Sequence, residues 1–155
     1  MRLRIAGNAD AECLMDLINA AFRKAEGYII DRDRVDIEVV QSLLAKGQFL
    51  VAEEESVLAG CVYLELRVER AYLGLLSVDP ARQKAGIGSM LMSEAELRCA
   101  QGGCRFMDLK TIDLREDNRA FYKRRGYVET GTEPFASELT TKLSCHFVNM
   151  SKSLP

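Results

Sequence analysis

The spacing of apolar residues predicts helices in the first third of the chain and strands in its middle. Residues 2–6 alternate apolar and charged side chains, which is typical of a strand. Apolar residues then recur at helical spacing in two segments. Helices are predicted from a cap at Asn8 or Asp10 to Gly27, and over residues 35–46.

From Gln48 the apolar pattern changes to the alternation that strands show. Three predicted strands, at residues 49–52, 57–67 and 72–78, are joined by short charged turns, which indicates an antiparallel meander. The remaining predicted elements are a helix at 87–99, a strand at 105–110, a helix at 116–125 and strands at 127–129 and 142–150. Strands placed before and after single helices predict an α/β (α+β) fold with a mixed sheet.

Length and composition limit the class of protein. The chain has 155 residues, of which 48% are hydrophobic and 28% charged. These values are typical of a folded globular protein and exclude disorder as the main state. One domain over residues 1–155 is expected, because this length is too short for two.

Charge and apolar runs bear on partners and location. The 21 basic and 23 acidic residues nearly cancel, so we expect neither nucleic acid nor a membrane as a partner. The longest apolar run, residues 57–64, is too short to cross a bilayer, and the first residues do not resemble a signal core. We therefore expect a cytoplasmic protein.

Cysteine and histidine usage argues against a metal site. The five cysteines include no pair separated by two residues, and His146 is the only histidine of the chain. A usual zinc site needs more ligands than this. We therefore expect reduced cysteines and no metal.

The most informative stretch of the chain joins a predicted strand to a predicted helix and reads Gln83-Lys84-Ala85-Gly86-Ile87-Gly88-Ser89. At such a junction, free amide groups and the positive end of the helix converge, which favours binding of an anion. Gly86 and Gly88 lack the Cβ atoms that would hold an anion away. The alternative is that both glycines only let the helix pack closely against the sheet. Neither a Walker A loop nor a dinucleotide-binding fingerprint fits the spacing.

This loop, with Leu76-Ser77-Val78-Asp79-Pro80 before it, resembles the Gln/Arg-x-x-Gly-x-Gly/Ala signature of the GCN5-related N-acetyltransferase (GNAT) superfamily. A second block, Phe121-Tyr122-Lys123-Arg124-Arg125-Gly126-Tyr127, is similar to the segment whose tyrosine faces the coenzyme sulfur in that superfamily. The resemblance covers the chain after Gln48, and its C-terminal part is similar to uncharacterised bacterial members. It implies the GNAT fold, a mixed and mostly antiparallel sheet of six to seven strands flanked by about four helices.

By the same resemblance, the ligand is acetyl-CoA, used as a co-substrate. The main chain of Leu76, Ser77 and Val78 would pair with its pantetheine arm, and the loop would hold its pyrophosphate. The loop residues of this expected coenzyme site are Gln83, Lys84, Ala85, Gly86, Ile87, Gly88 and Ser89.

Transfer of an acetyl group to an amine needs an acid for the leaving thiolate and a route for the amine proton. Tyr122 is the expected acid, and the alternative is a tyrosine that only packs between helix and sheet. The carboxylate that many family members carry on the fourth strand is missing, because Tyr72 and Gly74 stand there. Glu65, within an apolar strand, is the expected base because burial would raise its pKa. Asp108 is the weaker rival, and an exposed edge position is the other interpretation of Glu65.

The asparagine that often lies seven residues before the tyrosine is replaced here by Arg115. A solvated helix start is the expected place of Arg115, and contact with a phosphate or carboxylate is the alternative. Asn118 is four residues before the tyrosine and on a different helical turn. The role of the asparagine is therefore carried over to neither residue.

The resemblance implies an acetyl-CoA-dependent N-acetyltransferase that acts on a primary amine by direct transfer. Two alternatives stay open, a non-catalytic acyl-CoA-binding sensor or interaction domain, and a protein that binds another nucleotide. The acceptor is a small-molecule amine or a protein amine, and a homodimer stays open. In this superfamily the first two helices and the loop between them largely shape the acceptor site. Here Tyr28 and Ile29 offer an apolar wall, and Asp31 or Asp33 could attract a cation.

Overall fold

The computed structural model describes residues 1–30, 32–83, 85–135 and 141–155. Within these ranges one sheet holds seven strands in the order β1-β2-β3-β4-β5-β7-β6. The strands are β1 (Arg2–Ile5), β2 (Gln48–Glu54), β3 (Val57–Arg67), β4 (Arg70–Val78), β5 (Phe106–Ile112), β6 (Val128–Pro134) and β7 (His146–Ser153). The α-helices of these ranges are α1 (Ala11–Glu26), α2 (Ile37–Lys46), α3 (Ile87–Gln101) and α4 (Glu116–Arg124). The predicted α/β fold, with six to seven strands and about four helices, is confirmed.

Side-chain hydrogen bonds set the boundary between the first two helices. The carboxylate of Asp36 accepts a 2.8 Å hydrogen bond from the amide of Val39, so α2 begins at Ile37 and not at residue 35. Val35 is held by α1 instead, because the Asn19 side chain donates to its carbonyl at 2.8 Å and accepts from its amide at 2.9 Å. No helix in the described ranges is long and apolar enough to cross a membrane.

Helices cover both faces of the sheet. Along β3, Cys61 and Tyr63 pack with residues of α1 and α2, whereas Val62 and Leu64 pack with residues of α3. Successive side chains of a strand point to opposite faces. Burial on both faces therefore explains why β3 reads as an almost continuous apolar run, with the bounds predicted from the sequence.

The strands β4 and β5 run parallel and pair over three positions only. Arg70 pairs with Phe106 at one end of this short ladder and Tyr72 with Asp108 at the other, and no further pairing joins the two strands. The opposite edge of β4 pairs with β3, with a bulge at Leu75, which has a φ of 53°. The sheet therefore opens between β4 and β5 toward their carboxyl ends.

The last two strands differ from their predicted bounds. β6 continues to Pro134 although the sequence predicted an end at residue 129, and β7 begins at His146 and not at residue 142. β6 lies at the edge of the sheet. An edge strand tolerates Gly131 and a proline, because one of its sides needs no hydrogen-bond partner.

Candidate active site

The opening between β4 and β5 contains two adjacent cavities. The large cavity, of about 730 Å³, is bounded by residues 72–76 of β4 and 108–112 of β5. The small cavity, of about 340 Å³, reaches the first turn of α3. Phe22, Leu76 and Asn118 line both cavities, so the two are halves of one cleft.

The small cavity ends on the loop that precedes α3. The residues of the predicted coenzyme site that line it are Leu76, Val78, Gln83, Gly86, Ile87, Gly88 and Ser89. Gly86 caps α3 with φ 78° and ψ 12°, a left-handed conformation that glycine adopts without strain. Among the described residues, no side chain caps α3, and its first turn carries no acidic residue. The first amide groups of the helix are therefore available to an anion.

Close packing does not explain the two loop glycines. A Cβ atom at Gly86 would meet nothing within 4 Å, and one at Gly88 would lie 3.8 Å from its nearest neighbour, an ordinary contact distance. The close approach of α3 to the sheet falls at Gly60, where a Cβ atom would lie 2.9 Å from the side chain of Ile87. The loop glycines therefore leave space at the helix end.

Three residues of the predicted coenzyme site are not among the described residues that line the small cavity. Ser77 is 2% exposed, and its hydroxyl donates to a main-chain carbonyl of β4 at 2.9 Å. It pairs with Cys61 of β3 and does not line the small cavity. Ala85 is exposed and does not line the small cavity. Lys84 lies outside the described residues. Arg82, the other basic residue of this loop, pairs with Asp79.

Tyr122 of α4 lines the large cavity and is 5% exposed. Its ring makes edge contacts with Phe121 and Tyr127, at centroid distances of 5.3 Å and 5.8 Å. The hydroxyl forms no hydrogen bond with any residue that the structure describes. Burial raises the pKa of Tyr122, so this phenol keeps its proton at neutral pH.

Glu65 also lines the large cavity, but the expected rise of its pKa is wrong. Its carboxylate accepts hydrogen bonds of 2.8 Å from the side chain of Arg67 and from the hydroxyl of Tyr63. The bond from Arg67 is the main cause that lowers the pKa of Glu65. The rival carboxylate, Asp108, accepts two bonds of 2.7 Å from Arg70, and its pKa is lowered for the same reason. Both groups are held as anions.

A carboxylate that the sequence analysis missed, Glu26 of α1, lines the large cavity and is 4% exposed. Arg115 donates to its Oε2 at 2.8 Å, whereas Oε1 is buried with no partner among the described residues. Burial raises the pKa of Glu26 against the opposing charges of Arg115 and Arg34. The sequence did hold a signal, because Glu26 follows Ile18 and Phe22 at helical spacing and so shares their inward face.

Arg115 does not lie at a solvated helix start. It is 9% exposed, and it donates to Glu26 at 2.8 Å and to Asp117 at 3.0 Å. The alternative interpretation, contact with a carboxylate, is the correct one. Asn118 follows on α4, donates to the hydroxyl of Thr111 at 3.2 Å and lines both cavities.

The segment between α1 and α2 reaches the cleft through a residue that the sequence did not single out. Tyr28, Ile29 and Asp33 line neither cavity, and Asp31 lies outside the described residues. Arg34 lines the large cavity instead. Sequence periodicity marks core positions of helices and strands, and it carries no information about a loop position such as this one.

Cysteine and histidine side chains take no part in the cleft. The five cysteines are free, and none lines either cavity. His146 lies against Asp113 at 3.5 Å on the surface. In the part of the chain that the structure describes, no group of three or more His, Cys, Asp or Glu side chains could hold a metal ion.

Comparison with known protein families identifies one domain in the chain. The family model described as an acetyltransferase (GNAT) domain matches residues 45–129, which is more than half of the sequence. No curated protein matches the chain.

Solved structures share this fold over nearly the whole chain. Ribosomal-protein-alanine N-acetyltransferase from Brucella melitensis is 20% identical, with a TM-score of 0.80 over 99% of this chain and 100% of that one. An aminoglycoside 6'-N-acetyltransferase complexed with coenzyme A is 19% identical, with a TM-score of 0.79 over 100% of this chain and 98% of that one. The protein yncA from Salmonella typhimurium, solved with acetyl-CoA, is 20% identical, with a TM-score of 0.77 over 99% and 94%. At these identities the likeness shows the fold.

Proposed function

Because this chain belongs to the GNAT acetyltransferase family, we propose that it is an acetyl-CoA-dependent N-acetyltransferase that passes an acetyl group directly to a primary amine. The observation that carries the proposal is the small cavity, which joins the unpaired edge of β4 to the uncapped start of α3. A helix start of this kind binds a diphosphate, and an open strand edge binds a peptide-like arm. Coenzyme A contains both groups.

The proposed coenzyme site uses main-chain atoms. The amide groups of Ile87, Gly88 and Ser89 bind the pyrophosphate, because the first amides of a helix lack partners within the helix. The main chain of Leu76 and Val78 pairs with the pantetheine arm as an added strand would. This course brings the thioester to the boundary between the two cavities.

Tyr122 is the proposed acid for the leaving group. Attack of the amine on the thioester carbonyl forms the C–N bond, and the C–S bond then breaks and leaves a thiolate. The phenol of Tyr122 gives its proton to that sulfur, a contribution of typically about 10²–10⁴ in rate. The burial that raises the pKa of Tyr122 also raises the proton affinity of a thiolate formed in the same cavity.

The amine must lose a proton before or during attack, since a lysine-type amine has a pKa of about 10.4. Glu65, the base expected from the sequence, is a poor acceptor for this proton because Arg67 lowers its pKa. We assign the step to Glu26. Its Oε1 has no partner among the described residues, it lines the large cavity, and burial raises its pKa.

Calorimetric titration with acetyl-CoA, coenzyme A, NAD and ATP tests the coenzyme site. Gly88→Glu is the variant of choice, because its carboxylate would repel a diphosphate while an acidic residue in the first turn favours the helix. Gln101→Glu, which adds the same charge at the far end of α3, is the matched control. We expect tight binding of the two coenzyme A species alone, lost in Gly88→Glu and retained in Gln101→Glu.

Other results of the titration would support a different ligand or a different function. Preference for ATP or NAD would contradict the assignment of the small cavity to coenzyme A. Binding of acetyl-CoA without transfer to any primary amine would favour the non-catalytic acyl-CoA sensor over the enzyme.

A further inference from the structure

Arg34 is a cation of the large cavity that has no counter-ion among the described residues. It lines the cavity, its Nε is buried with no partner, and it forms no hydrogen bond or ion pair with any residue that the structure describes. Two neighbouring cations of the cavity are paired, since Arg67 contacts Glu65 at 2.8 Å and Lys110 lies 3.8 Å from Glu133. Arg34 therefore differs from them in having a vacant hydrogen-bonding face.

Resting on the proposed function, we propose that the acceptor is a small primary amine that also carries a carboxylate, as a free amino acid does, and that Arg34 binds this carboxylate. A buried polar atom without a partner costs free energy, and in native proteins most such atoms find a partner in protein, water or ligand. The guanidinium is a planar fork of donors that matches the two oxygens of a carboxylate. An anionic group on the acceptor would satisfy it.

The chain holds Arg34 in place from both sides. The next residue, Val35, is fixed to α1 by the two hydrogen bonds with Asn19, at 2.8 Å and 2.9 Å. The guanidinium carbon of Arg34 lies 5.6 Å from the ring centroid of Phe22, also on α1. A cation anchored in this way loses little further freedom when an anion binds.

The large cavity also contains a group of opposite charge, the carboxylate of Glu26. Glu26 has a buried Oε1 without a partner among the described residues, and Arg34 acts on it electrostatically. The two side chains nevertheless do not pair with each other, because Arg34 forms no ion pair with a described residue. A ligand with an ammonium group and a carboxylate would satisfy both, with its amine at Glu26, where the proposed transfer occurs.

A peptide N-terminus fits these two sites less well. Its α-carboxylate is consumed in the first peptide bond, so no anion would stand beside the amine to meet Arg34. The walls of the large cavity also include apolar side chains, namely those of Phe22, Val35, Val39, Leu43 and Leu73. They favour an amino acid with an apolar side chain.

The test is acceptor binding to the protein saturated with coenzyme A, measured by calorimetry at fixed pH. The probes are leucine, methionine and phenylalanine, each compared with its own amide and with a dipeptide that begins with the same residue. We expect at least one amino acid to bind about tenfold or more tightly than its amide, as a charge-assisted hydrogen bond predicts. Arg34→Gln should abolish this preference and Arg34→Lys should keep part of it.

Arg32→Gln removes the same charge from the same segment and is the matched control, in which the preference should persist. Equal or tighter binding of the amides, or a preference that survives Arg34→Gln, would overturn the inference. Tighter binding of the dipeptides would assign the cavity to a peptide N-terminus. A thermal melt and coenzyme A titration of each variant show that the fold is intact. If the unaltered protein does not bind acetyl-CoA, that result would count against the proposed function and not against the role of Arg34.

Discussion

Arg115 and Glu26 stand 89 residues apart in the chain, yet Arg115 Nη1 donates a 2.8 Å hydrogen bond to Glu26 Oε2. The side chains are 10% and 5% exposed, and they connect the start of α4 to the end of α1 beside the cleft. Removing one partner of a buried ion pair leaves the other as an unpaired buried charge, which costs more than the pair itself contributed.

Arg115→Met is therefore expected to lower the free energy of unfolding by about 3–5 kcal/mol near neutral pH. Chemical denaturation measures this change. The double variant Glu26→Gln with Arg115→Met removes both charges and should recover much of the loss. A single variant as stable as the unaltered protein would contradict the pairing.

The same pair predicts how stability depends on pH. Burial raises the pKa of Glu26 in the folded state, so its contribution to stability is complete below the unfolded pKa and is lost as pH rises through the folded one. Without Arg115, whose charge lowers it, the pKa of Glu26 rises further. The stability gap between Arg115→Met and the unaltered protein should widen as the pH rises above about 4.3, the ordinary pKa of a glutamate side chain. Melting temperatures measured above that pH, with the double variant as a flat reference, check this.

Tyr122→Phe tests the proposed acid with little disturbance of the core. The hydroxyl has no partner among the described residues, and the phenyl ring keeps its contacts with Phe121 and Tyr127. We expect kcat to fall by about 10²–10⁴ with unchanged coenzyme A affinity. Tyr127→Phe is the control, since it loses a 2.9 Å hydrogen bond to Glu96 away from the cleft. It should lose stability and keep its activity, and equal activities of the two variants would exclude Tyr122 as the acid.

The choice between the two carboxylates is open to a paired experiment. Glu26→Gln removes the group that we assign as base, and kcat should fall by about 100-fold. In Glu65→Gln the side-chain oxygen can still accept from Arg67, and the amide nitrogen can donate to the hydroxyl of Tyr63. We expect kcat within about threefold of the original. The rates of acetyl transfer to one amine by the two variants distinguish the carboxylates. A larger loss of kcat in Glu65→Gln than in Glu26→Gln would identify Glu65 as the base.

Gly60, which faces α3, and Gly88, in the first turn of α3, should respond in opposite directions to alanine. Gly60→Ala brings a Cβ atom to 2.9 Å from Ile87, 3.0 Å from Leu91 and 3.1 Å from the carbonyl oxygen of Ser77. Overpacking of this kind costs about 1–3 kcal/mol of stability. In Gly88→Ala the added Cβ atom lies at ordinary distances of 3.8 Å from Val78 and 3.9 Å from Phe121. An alanine in place of a glycine in a helix should gain up to about 1 kcal/mol. Denaturation curves measure both changes, and a Gly60→Ala variant as stable as the unaltered protein would contradict the close approach at that position.

Local patterns in the sequence predicted the fold and the position of the loop before α3. β3 was predicted with correct bounds because burial on both faces makes its apolar run unmistakable. Gly86 was singled out because a strand, two glycines and a helix follow each other in the chain. These signals lie within a few residues of each other.

The rest of the site depends on contacts that the sequence does not display. The fold alone brings Glu26 into contact with Arg115. The role that we propose for Arg34 depends on its position in the wall of the large cavity. The error at Glu65 was avoidable. Arg67 follows two residues later on the same face of the strand, where a neighbouring cation lowers the pKa of a carboxyl group.

The short ladder between β4 and β5 places a strand edge in the middle of a sheet. Unpaired strand edges normally invite pairing with a second protein and so promote aggregation. Here the edge of β4 is recessed, because β5 faces it across the cleft. A second sheet cannot reach into such a slot, whereas a single narrow chain can. The geometry that admits a ligand therefore also protects this edge of β4 from pairing with the sheet of a second protein.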